Sequence, residues 1–354
     1  MALSGGVDSS VTAAILKAEG YDVVGMTLKL YDCQDGQNER SCCGLAGVSE
    51  ARAAAGVLQI PHYVVDGESL FESRVLKHAW EEYSNGRTPN PCVACNEWMK
   101  FGLLFDQARK LGADFVATGH HARVVAGDRP KLLRGHDPNK DQSYFLFSLS
   151  PAQLGMALLP VGDLTKAKVR ELAHEYGLPN ADRLESQDAC IAQRGDFAEA
   201  LRERFDGKLE GGPIVNAKGT VIGRHEGIHR FTVGQRKGLG IALGKRAYVL
   251  AIDKATNTVV IDTDADKLLA YGLEAGDMRW LRHLEEGESL AVQAQIRYRH
   301  QAVPATLTKG DEDNATAYFA EAQAAVTPGQ AAVFYLGDEV VAGGWIKTAL
   351  PSQD

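Results

Sequence analysis

The segment Ser-Gly-Gly-Val-Asp-Ser-Ser at residues 4–10 is the feature that most constrains how this chain can fold. It leads directly into an amphipathic helical stretch at residues 11–18. Two glycines permit a tight turn in which consecutive N–H groups converge on an anion, and the dipole of the following helix also favours negative charge. Asp8, Ser9 and Ser10 suit the first helical turn, where hydroxyl groups can hydrogen-bond a phosphate. The segment, here named the phosphate loop, therefore predicts an anion site at a strand-to-helix junction.

The order of these residues resembles the pyrophosphate-binding loop of the ATP pyrophosphatases, which cleave ATP between its α and β phosphates and attach AMP to a substrate oxygen. The segment lacks the Gly-Lys-Ser/Thr ending of a Walker A loop. Similar loops serve enzymes that amidate, form argininosuccinate or thiolate RNA. The phosphate loop thus predicts nucleotide chemistry and leaves the substrate open, and the alternative is a glycine turn before an ordinary helix.

Length and charge narrow the class of protein. A chain of 354 residues can bury a large core over two or three domains, and it contains no apolar run long enough for a membrane helix. With no signal segment before the phosphate loop, we expect a cytoplasmic protein, and we expect a monomer. The net charge of −8 argues against indiscriminate binding of nucleic acid, although residues 224–246 form a locally basic segment.

The fold class that we predict is α/β. Alternating helices and strands in the first half indicate a doubly wound, mostly parallel sheet of the ATP pyrophosphatase type, with ligands beyond the carboxyl ends of the strands. The predicted helices are 11–18, 49–58, 70–83, 99–111 and 166–176, and the predicted strands are 22–30, 62–66 and 115–118. The predicted domains are this catalytic domain at 1–200, a small central β module at 201–272 and a C-terminal β-barrel-like domain at 273–354.

Two details of this pattern carry further predictions. Only Met1, Ala2 and Leu3 precede the phosphate loop, fewer than an average strand needs, so we hypothesise that the natural protein starts upstream. Alternation from residue 290 to residue 299 predicts a strand with Arg297 and Arg299 on one face and Tyr298 in the core. Such an arginine face, with His300 beside it, would suit phosphates.

The cysteines form the second informative pattern. Six cysteines in a chain of this length are too few for a disulfide scaffold, so they are candidates for burial, metal binding or catalysis. Cys92 and Cys95 lie in Gly86-Arg87-Thr88-Pro89-Asn90-Pro91-Cys92-Val93-Ala94-Cys95-Asn96, which predicts a rigid loop between two helices, with Cys95 just before the second helix. Cys190 lies in a polar segment far downstream. Cys33, Cys42 and Cys43 receive no predicted role.

Taken together, the motifs resemble one family, the bacterial-type tRNA-specific 2-thiouridylases. They occur in the order of that family and cover essentially the whole chain. The matching segments are residues 4–10, 86–96, 117–120, 137–145, 186–190, 234–240, 296–300 and 327–330.

The resemblance implies ATP-dependent 2-thiolation of the wobble uridine in the tRNAs for lysine, glutamate and glutamine. AMP is transferred to the C2 oxygen of uracil, which converts a poor leaving group into a good one, and sulfur then attacks the carbon. By the same resemblance, Cys190 carries a persulfide and Cys95 is the nucleophile that releases its outer sulfur. A transient Cys95–Cys190 disulfide would remain, and an upstream persulfide carrier or cysteine desulfurase would supply the sulfur.

Cys92 departs from the pattern of many relatives, which carry an acid–base Asp at this position. A thiol has a reference pKa of about 8.5 against about 3.9 for Asp, so it is no simple replacement. The acid–base step is then dispensable or supplied elsewhere, or Cys92, Cys95 and Cys190 hold an iron–sulfur cluster that binds sulfide. We prefer the persulfide route of the two.

The resemblance also implies contact residues. The positions implied for ATP are Ala2, Leu3, Ser4, Gly5, Gly6, Val7, Asp8, Ser9, Leu28 and Gly119. Mg²⁺ is expected with the phosphates, and Asp8 is the nearest candidate ligand. The positions implied for tRNA are Asn90, Pro91, Cys92, His120, Lys140, Asp141, Gln142, Arg297, Tyr298 and Gln330.

Two other hypotheses fit parts of the sequence. An AMP-forming ligase acting on a small metabolite would carry the same phosphate loop, but it leaves the separated cysteines and the β-rich second half without a purpose. An RNA-binding module with a cysteine-bound zinc would leave the phosphate loop unused, and no second Cys-x-x-Cys exists to complete a zinc site.

Overall fold

The computed structural model of the protein describes residues 1–30, 45–183, 197–241 and 243–351. Cys33, Cys42, Cys43 and Cys190 lie outside these ranges, so the roles predicted for Cys190 stay predictions. The chain divides into two compact units, and the domain limits predicted at 200 and 272 also stay predictions. The first unit comprises Met1–Val75, Cys92–Arg194 and Asp338–Val340, and the second comprises Leu76–Pro91, Gly195–Gly337 and Val341–Asp354.

In chain order the α-helices of the described residues are α1 (Val7–Ala18), α2 (Leu45–Val57), α3 (Glu68–Phe71), α4 (Lys77–Ser84), α5 (Pro91–Ala94), α6 (Leu104–Lys110), α7 (Pro151–Gly155), α8 (Lys166–Glu175) and α9 (Phe197–Arg204). Two π-helical segments span Glu72–Leu76 and Cys95–Leu103. None of these helices is long and apolar enough to cross a membrane.

The strands of the first unit are β1 (Gly25–Lys29), β2 (His62–Asp66), β3 (Val116–Ala117), β4 (Ala122–Val125), β5 (Lys131–Arg134) and β6 (Ala157–Leu158). Those that follow are β7 (Gly212–Asn216), β8 (Val221–His225), β9 (Tyr248–Asp253), β10 (Thr258–Asp262), β11 (Leu269–Trp280), β12 (Ser289–Gln295), β13 (Val303–Lys309), β14 (Ala315–Ala324), β15 (Ala331–Leu336) and β16 (Glu339–Leu350).

A parallel sheet organises the first unit. Strands β1 and β2 pair in parallel, as do β3 and β6. Ala2 joins the two pairs, since it forms a parallel bridge with Met26 and its N–H donates to the carbonyl of Ala117 at 2.8 Å. The spatial order is therefore β2, β1, residues 2–3, β3, β6, and the order reverses direction beside residues 2–3. This confirms the predicted doubly wound sheet, and the reversal point is where such sheets bind ligands.

Helix α1 packs its apolar face against α8 in the core of this unit. Val11 of α1 and Val169 of α8 are fully buried. Thr165 precedes α8 as its N-cap, and its hydroxyl accepts the N–H of Lys168 at 3.3 Å. This cap sets where α8 begins and thereby places Lys166, its first residue, beside the phosphate loop.

The second unit contains a four-stranded sheet and a closed barrel. The sheet has the order β8, β7, β10, β9, and the barrel runs β11, β14, β13, β12, β15, β16 and closes by pairing of β11 with β16. Fully buried residues such as Leu273, Leu307 and Phe334 fill the barrel core. The predicted central β module and barrel-like fold are confirmed.

Two sequence-based predictions are wrong in detail. Cys95 was expected before a helix, but it lies inside a helical run that begins at Pro91, because proline is favoured at the first helical position. The strand expected to reach residue 299 ends at Gln295. Arg299 has φ 62°, a left-handed conformation that turns the chain, and Tyr298 is exposed instead of packing in the core. Arg297 and Arg299 thus lie on a turn and do not share a strand face.

Glu199 of α9 provides a test of stability in the second unit. Its carboxylate accepts hydrogen bonds from Arg202 Nε at 2.6 Å, His229 Nε2 at 3.0 Å and Arg230 Nε at 3.2 Å. The bond from Arg202, then that from His229, lowers the pKa of Glu199 to about 2. A carboxylate with a lowered pKa stabilises the fold above its unfolded pKa and loses that contribution as pH falls through its folded pKa.

We therefore expect Glu199→Gln to be less stable than the parent at neutral pH. The difference should shrink as pH falls below about 4.5 and nearly vanish near pH 2, measured as urea midpoints across a pH series. Glu203→Gln, on the exposed side of the same helix, is the control and should show little change. A difference for Glu199→Gln that stays constant down to pH 2 would contradict the assignment.

Candidate functional site

The phosphate loop lies at the carboxyl end of residues 2–3, at the reversal point of the sheet. Gly6 is the N-cap of α1, and Gly5 adopts φ 76° with its Cα packed so closely on the carbonyl of Gly47 that a Cβ would lie 2.5 Å away. The hydroxyls of Ser9 and Ser10 both donate to the carbonyl of Gly6, at 2.8 and 3.2 Å. In this structure the two hydroxyls therefore bond the backbone of the loop itself, and their contact with a phosphate stays a prediction, as does that of the backbone N–H groups.

Asp8 carries the negative charge of this site. Its Oδ1 accepts from Lys166 Nζ at 2.5 Å and from His121 Nε2 at 3.3 Å. Burial alone would raise the pKa of Asp8, but the His121 hydrogen bond and the Lys166 charge outweigh it and lower the pKa below its usual value. Asp8 is therefore ionised at neutral pH and holds a lysine ammonium next to the loop that is predicted to bind phosphate.

Gly119 brings the end of β3 against the start of α1. A Cβ on Gly119 would lie 2.6 Å from Ser9 N and 2.8 Å from the carbonyl carbon of Asp8, so only glycine allows this approach. The contact places the residue after Gly119 at the rim of the phosphate loop.

His120 links this rim to the cysteine-bearing helix. Its Nδ1 lies 2.7 Å from Thr118 Oγ1 and its Nε2 lies 3.3 Å from Lys100 Nζ. Burial, followed by the charges of Lys100 and His121, lowers the pKa of His120 well below 6.5. The ring is therefore neutral, and because an ammonium only donates, Nε2 is the acceptor and Nδ1 carries the proton.

Lys100 and Cys95 belong to the same π-helical segment. A π-helix closes hydrogen bonds between residues i and i+5, so Lys100 lies one turn after Cys95. In an α-helix the fifth residue would point away to the other side. The segment thus brings a lysine ammonium to the side of the helix that carries Cys95, which is 6% exposed, while Cys92 is half-buried.

Asn180 and Arg183 hold the phosphate loop from its other side. The carbonyl of Gly5 accepts from Asn180 Nδ2 at 2.9 Å and from Arg183 Nη1 at 2.8 Å. Asn180 Nδ2 also lies 2.9 Å from Ser10 Oγ. These bonds fix the peptide that gives Gly5 its left-handed conformation.

Sequence reasoning missed His121, Lys166, Lys100, Asn180 and Arg183. His121 stands beside the predicted His120, and Lys100 stands one π-turn after Cys95, but neither position has a motif that marks it. Lys166, Asn180 and Arg183 approach the loop only through the tertiary fold, from more than 150 residues away in sequence. No local signal could have identified them.

The other residues predicted for ATP lie in the sheet or at its edge. Ala2 and Leu3 belong to the central parallel ladder, and Leu28 is buried near the carboxyl end of β1. Val7 is buried at the start of α1. Their contact with ATP stays a prediction.

The residues predicted for tRNA divide between the two units. In the first unit, Asp141 accepts hydrogen bonds from Arg134 Nη1 at 3.0 Å and from Gly135 N at 2.9 Å, and Gln142 Oε1 accepts from His121 N at 3.0 Å. Both side chains therefore brace the loop behind His121. Lys140, on the same loop, is half-exposed.

In the second unit, Arg297 and Tyr298 are exposed on the turn after β12. Arg297 Nη1 donates to the carbonyl of Ala324 at 3.2 Å, and the guanidinium of Arg299 lies 5.5 Å from the ring centroid of Tyr298. Gln330, Asn90 and Pro91 lie in the same unit. Exposure of Arg297 and Tyr298 is what an RNA contact requires, and their role stays a prediction.

Metal binding stays a prediction as well. Within the described ranges, no group of three or more His, Cys, Asp or Glu side chains is placed to hold an ion. The cluster considered for Cys92 and Cys95 needs Cys190, which lies outside those ranges.

Family models and curated relatives match this chain along nearly its whole length. Family models described as the tRNA methyl transferase HUP domain, the tRNA methyl transferase PRC-barrel domain and the aminomethyltransferase beta-barrel domain match residues 1–194, 200–263 and 271–346. The tRNA-specific 2-thiouridylase MnmA of Geobacter metallireducens is 47% identical, with 99% of this chain and 96% of that protein covered. The protein of the same name from Carboxydothermus hydrogenoformans is 46% identical, with 99% and 97% covered.

The solved structures that match this chain have much lower sequence identity to it than the curated relatives. The U34-tRNA thiolase NcsA of Methanococcus maripaludis with its [4Fe-4S] cluster matches at 17% identity and a TM-score of 0.34, over 58% of this chain and 63% of that chain. A similarity this low carries no argument about chemistry.

Gly119 gives a direct test of the site. Gly119→Ala should displace Asp8 and Ser9 and weaken ATP binding by about tenfold or more, since small misplacements of a site are costly. Gly127→Ala is the matched control, because a Cβ there meets open space. Equilibrium titration with ATP would measure both variants, and equal affinities would show that the contact does not position the phosphate loop.

Proposed function

Since this chain belongs to the family of the tRNA-specific 2-thiouridylases and is accordingly a tRNA sulfurtransferase, we propose that it exchanges the C2 oxygen of the wobble uridine for sulfur at the expense of ATP. Its substrates are the tRNAs for lysine, glutamate and glutamine. The observation that supports this most directly is a line of contacts in the first unit. Gly119 touches the phosphate loop, His120 follows it and meets Lys100, and Lys100 lies one turn after Cys95.

The first step is activation of the base. The uracil C2 oxygen attacks the α-phosphorus of ATP, the bond to the β-phosphate breaks, and pyrophosphate leaves. The N–H groups of the phosphate loop and the Lys166 ammonium stabilise the pyrophosphate, and Asp8 holds Lys166 in place. The side-chain contacts given for Asp8 among the described residues are to Oδ1, so Oδ2 is the oxygen that would hold a Mg²⁺ ion, which would neutralise phosphate charge.

The second step is sulfur transfer. The outer sulfur of a Cys190 persulfide attacks C2, and AMP leaves with the former oxygen. The Cys95 thiolate then attacks the inner sulfur, the S–S bond breaks, and its electrons go to the sulfur now held by the base. A Cys95–Cys190 disulfide remains, which a dithiol reductant returns to two thiols.

Lys100 takes part in this step by charge. Its ammonium donates to neutral His120, and Lys100 lies one π-helical turn after Cys95, so it supplies positive charge on the side of the helix where the sulfur step is proposed. It also supplies a positively charged donor that the half-buried thiol of Cys92, in place of an acid–base Asp, does not.

The partners follow from the same chemistry. A single-stranded anticodon loop allows its base to be turned out into the site, and contacts to its phosphates make binding weaken as salt increases. The sulfur comes from an upstream persulfide carrier or a cysteine desulfurase, and the proposed location of the reaction is the cytoplasm.

The decisive experiment incubates tRNA with ATP and a persulfide source and then analyses the nucleosides by mass. We expect one sulfur-for-oxygen exchange per tRNA, lost in Cys95→Ser and in Cys190→Ser and kept in Cys33→Ser. Turnover of ATP without tRNA and no thiolated nucleoside would favour a ligase for a small metabolite. Stoichiometric iron and acid-labile sulfide in active protein purified without oxygen would replace the persulfide with a cluster.

The role of Lys100 has its own test. Lys100→Met should lower the rate of thiolation by about tenfold or more while ATP binding stays unchanged, because the charge acts on the sulfur step. Lys110→Met, at the exposed end of α6, is the control and should behave as the parent. Loss of ATP binding in Lys100→Met would mean that the lysine supports the nucleotide site instead.

A further inference from the structure

A turn of the barrel holds the loop that precedes Cys92. The loop consists of residues 86–91 and the turn of residues 327–330, all within the second unit. Thr88 N donates to the carbonyl of Pro328 at 2.9 Å. Gln330 Nε2 donates to the carbonyls of Thr88 and Pro89, at 3.0 and 3.1 Å. We name this set of three hydrogen bonds the clasp.

Gly329 makes the clasp possible. It adopts φ 88°, and a Cβ on it would lie 2.8 Å from both Thr88 N and Thr88 O. The turn is itself tied into the barrel, because Gly329 N donates to Ile346 O and Ile346 N donates to Gln330 O, both at 2.9 Å. The loop is therefore fixed to a barrel strand through backbone groups on both sides of Gly329.

The loop ends at Pro91, where the helical run of residues 91–103 begins. We name this run, which carries Cys92 and Cys95, the cysteine helix. Pro91 is the first residue of α5, which continues into the π-helical segment from Cys95. Pro89 and Pro91 have no N–H groups and fixed φ angles, so restraint of Thr88 and Pro89 is passed along a stiff backbone. Fixing these two carbonyls restrains the point from which the helix of Cys92 and Cys95 starts.

The side-chain amide nitrogen of Gln330 donates its hydrogen bonds to the protein backbone in this arrangement. A side-chain amide has two N–H donors, and here two carbonyls stand within hydrogen-bond distance of the one nitrogen. Gln330, which the family resemblance implies as a tRNA contact, therefore directs its amide N–H groups to the backbone carbonyls of Thr88 and Pro89. We propose that Gln330 is a positioning residue, which sets the start of the cysteine helix through the clasp, and that it acts before any RNA is bound.

This inference deepens the proposed function and rests on it for its catalytic consequence, while the clasp itself can be measured without substrate. Hydrogen–deuterium exchange of peptides covering residues 85–95, in the full chain without tRNA, reports on Thr88 N. Gln330→Glu replaces the donors with an acceptor that repels both carbonyls, and we expect exchange to be faster by about fivefold or more. Gln293→Glu, an exposed glutamine of β12, is the charge-matched control and should leave exchange unchanged.

A second pair of variants separates the clasp from general damage. Gly329→Ala should loosen the same peptides, whereas Gly337→Ala, also a positive-φ glycine but one whose Cβ would meet open space, should not. In thiolation assays, Gln330→Glu should lower kcat and leave the KM for tRNA near that of the parent, and Gln330→Met should do likewise.

Two results would overturn the proposal. The first is unchanged exchange in Gln330→Glu together with a raised KM for tRNA, which would make Gln330 a direct RNA contact. The second is faster exchange with kcat and KM both unaltered, which would make the clasp purely structural. If no variant or parent thiolates tRNA, the proposed function fails, while the exchange data still decide whether the clasp restrains the loop.

Discussion

The close approach of two backbones, at Gly119 and the start of α1, is the constraint on which the rest of the first unit depends. It requires β3 to lie beside residues 2–3 and so fixes the reversal point of the parallel sheet. It also makes the phosphate loop and His120 neighbours, although more than a hundred residues separate them in sequence. Because the contact is between backbone atoms, it can be kept only by glycine, and no rearrangement of side chains can relieve a substitution.

Electrostatics then divides the site into two parts with different charge states. Asp8 is kept ionised by His121 and Lys166, so the rim of the phosphate loop carries a fixed lysine ammonium. His120, one residue from His121, is kept neutral by burial and by the charge of Lys100. Two adjacent histidines thereby serve opposite purposes, one donating to a carboxylate and the other accepting from a lysine. The rim of the phosphate loop therefore carries positive charge, and the side next to the cysteine-bearing helix keeps a neutral hydrogen-bond acceptor.

The sequence pattern predicted the structure correctly where the conformation depends on local residue spacing. Alternation predicted the parallel sheet and the barrel, and the strand predicted at 62–66 agrees with the structure residue by residue. The sequence-based prediction is wrong where the conformation of a single residue interrupts the alternation of apolar and polar side chains. Alternation continues past Gln295, but the left-handed residue Arg299 turns the chain and exposes Tyr298. Helical spacing placed a helix start near residue 99, but the π-helical turns begin at Cys95, and no simple periodicity marks an i to i+5 helix.

The remaining difference between sequence and structure concerns what a polar side chain is used for. The resemblance implies that Asp141, Gln142 and Gln330 contact the RNA, which stays a prediction, and each is hydrogen-bonded to protein groups in this structure. A polar side chain that hydrogen-bonds the backbone must be of a particular residue type, just as one that binds a ligand must be. A sequence motif alone therefore does not distinguish a structural polar residue from a ligand-binding one.

The physical distinction lies in what each contact fixes. Gln142 fixes the backbone of His121, and Gln330 fixes the loop before Pro91, so each acts on backbone beside a predicted site residue. The proposed reaction must align a phosphoryl group, a base and a sulfur, and such a site tolerates errors of only about half an ångström. Backbone held by glycine contacts and amide donors, as at Gly119 and Gly329, meets that demand without ordering long, flexible side chains.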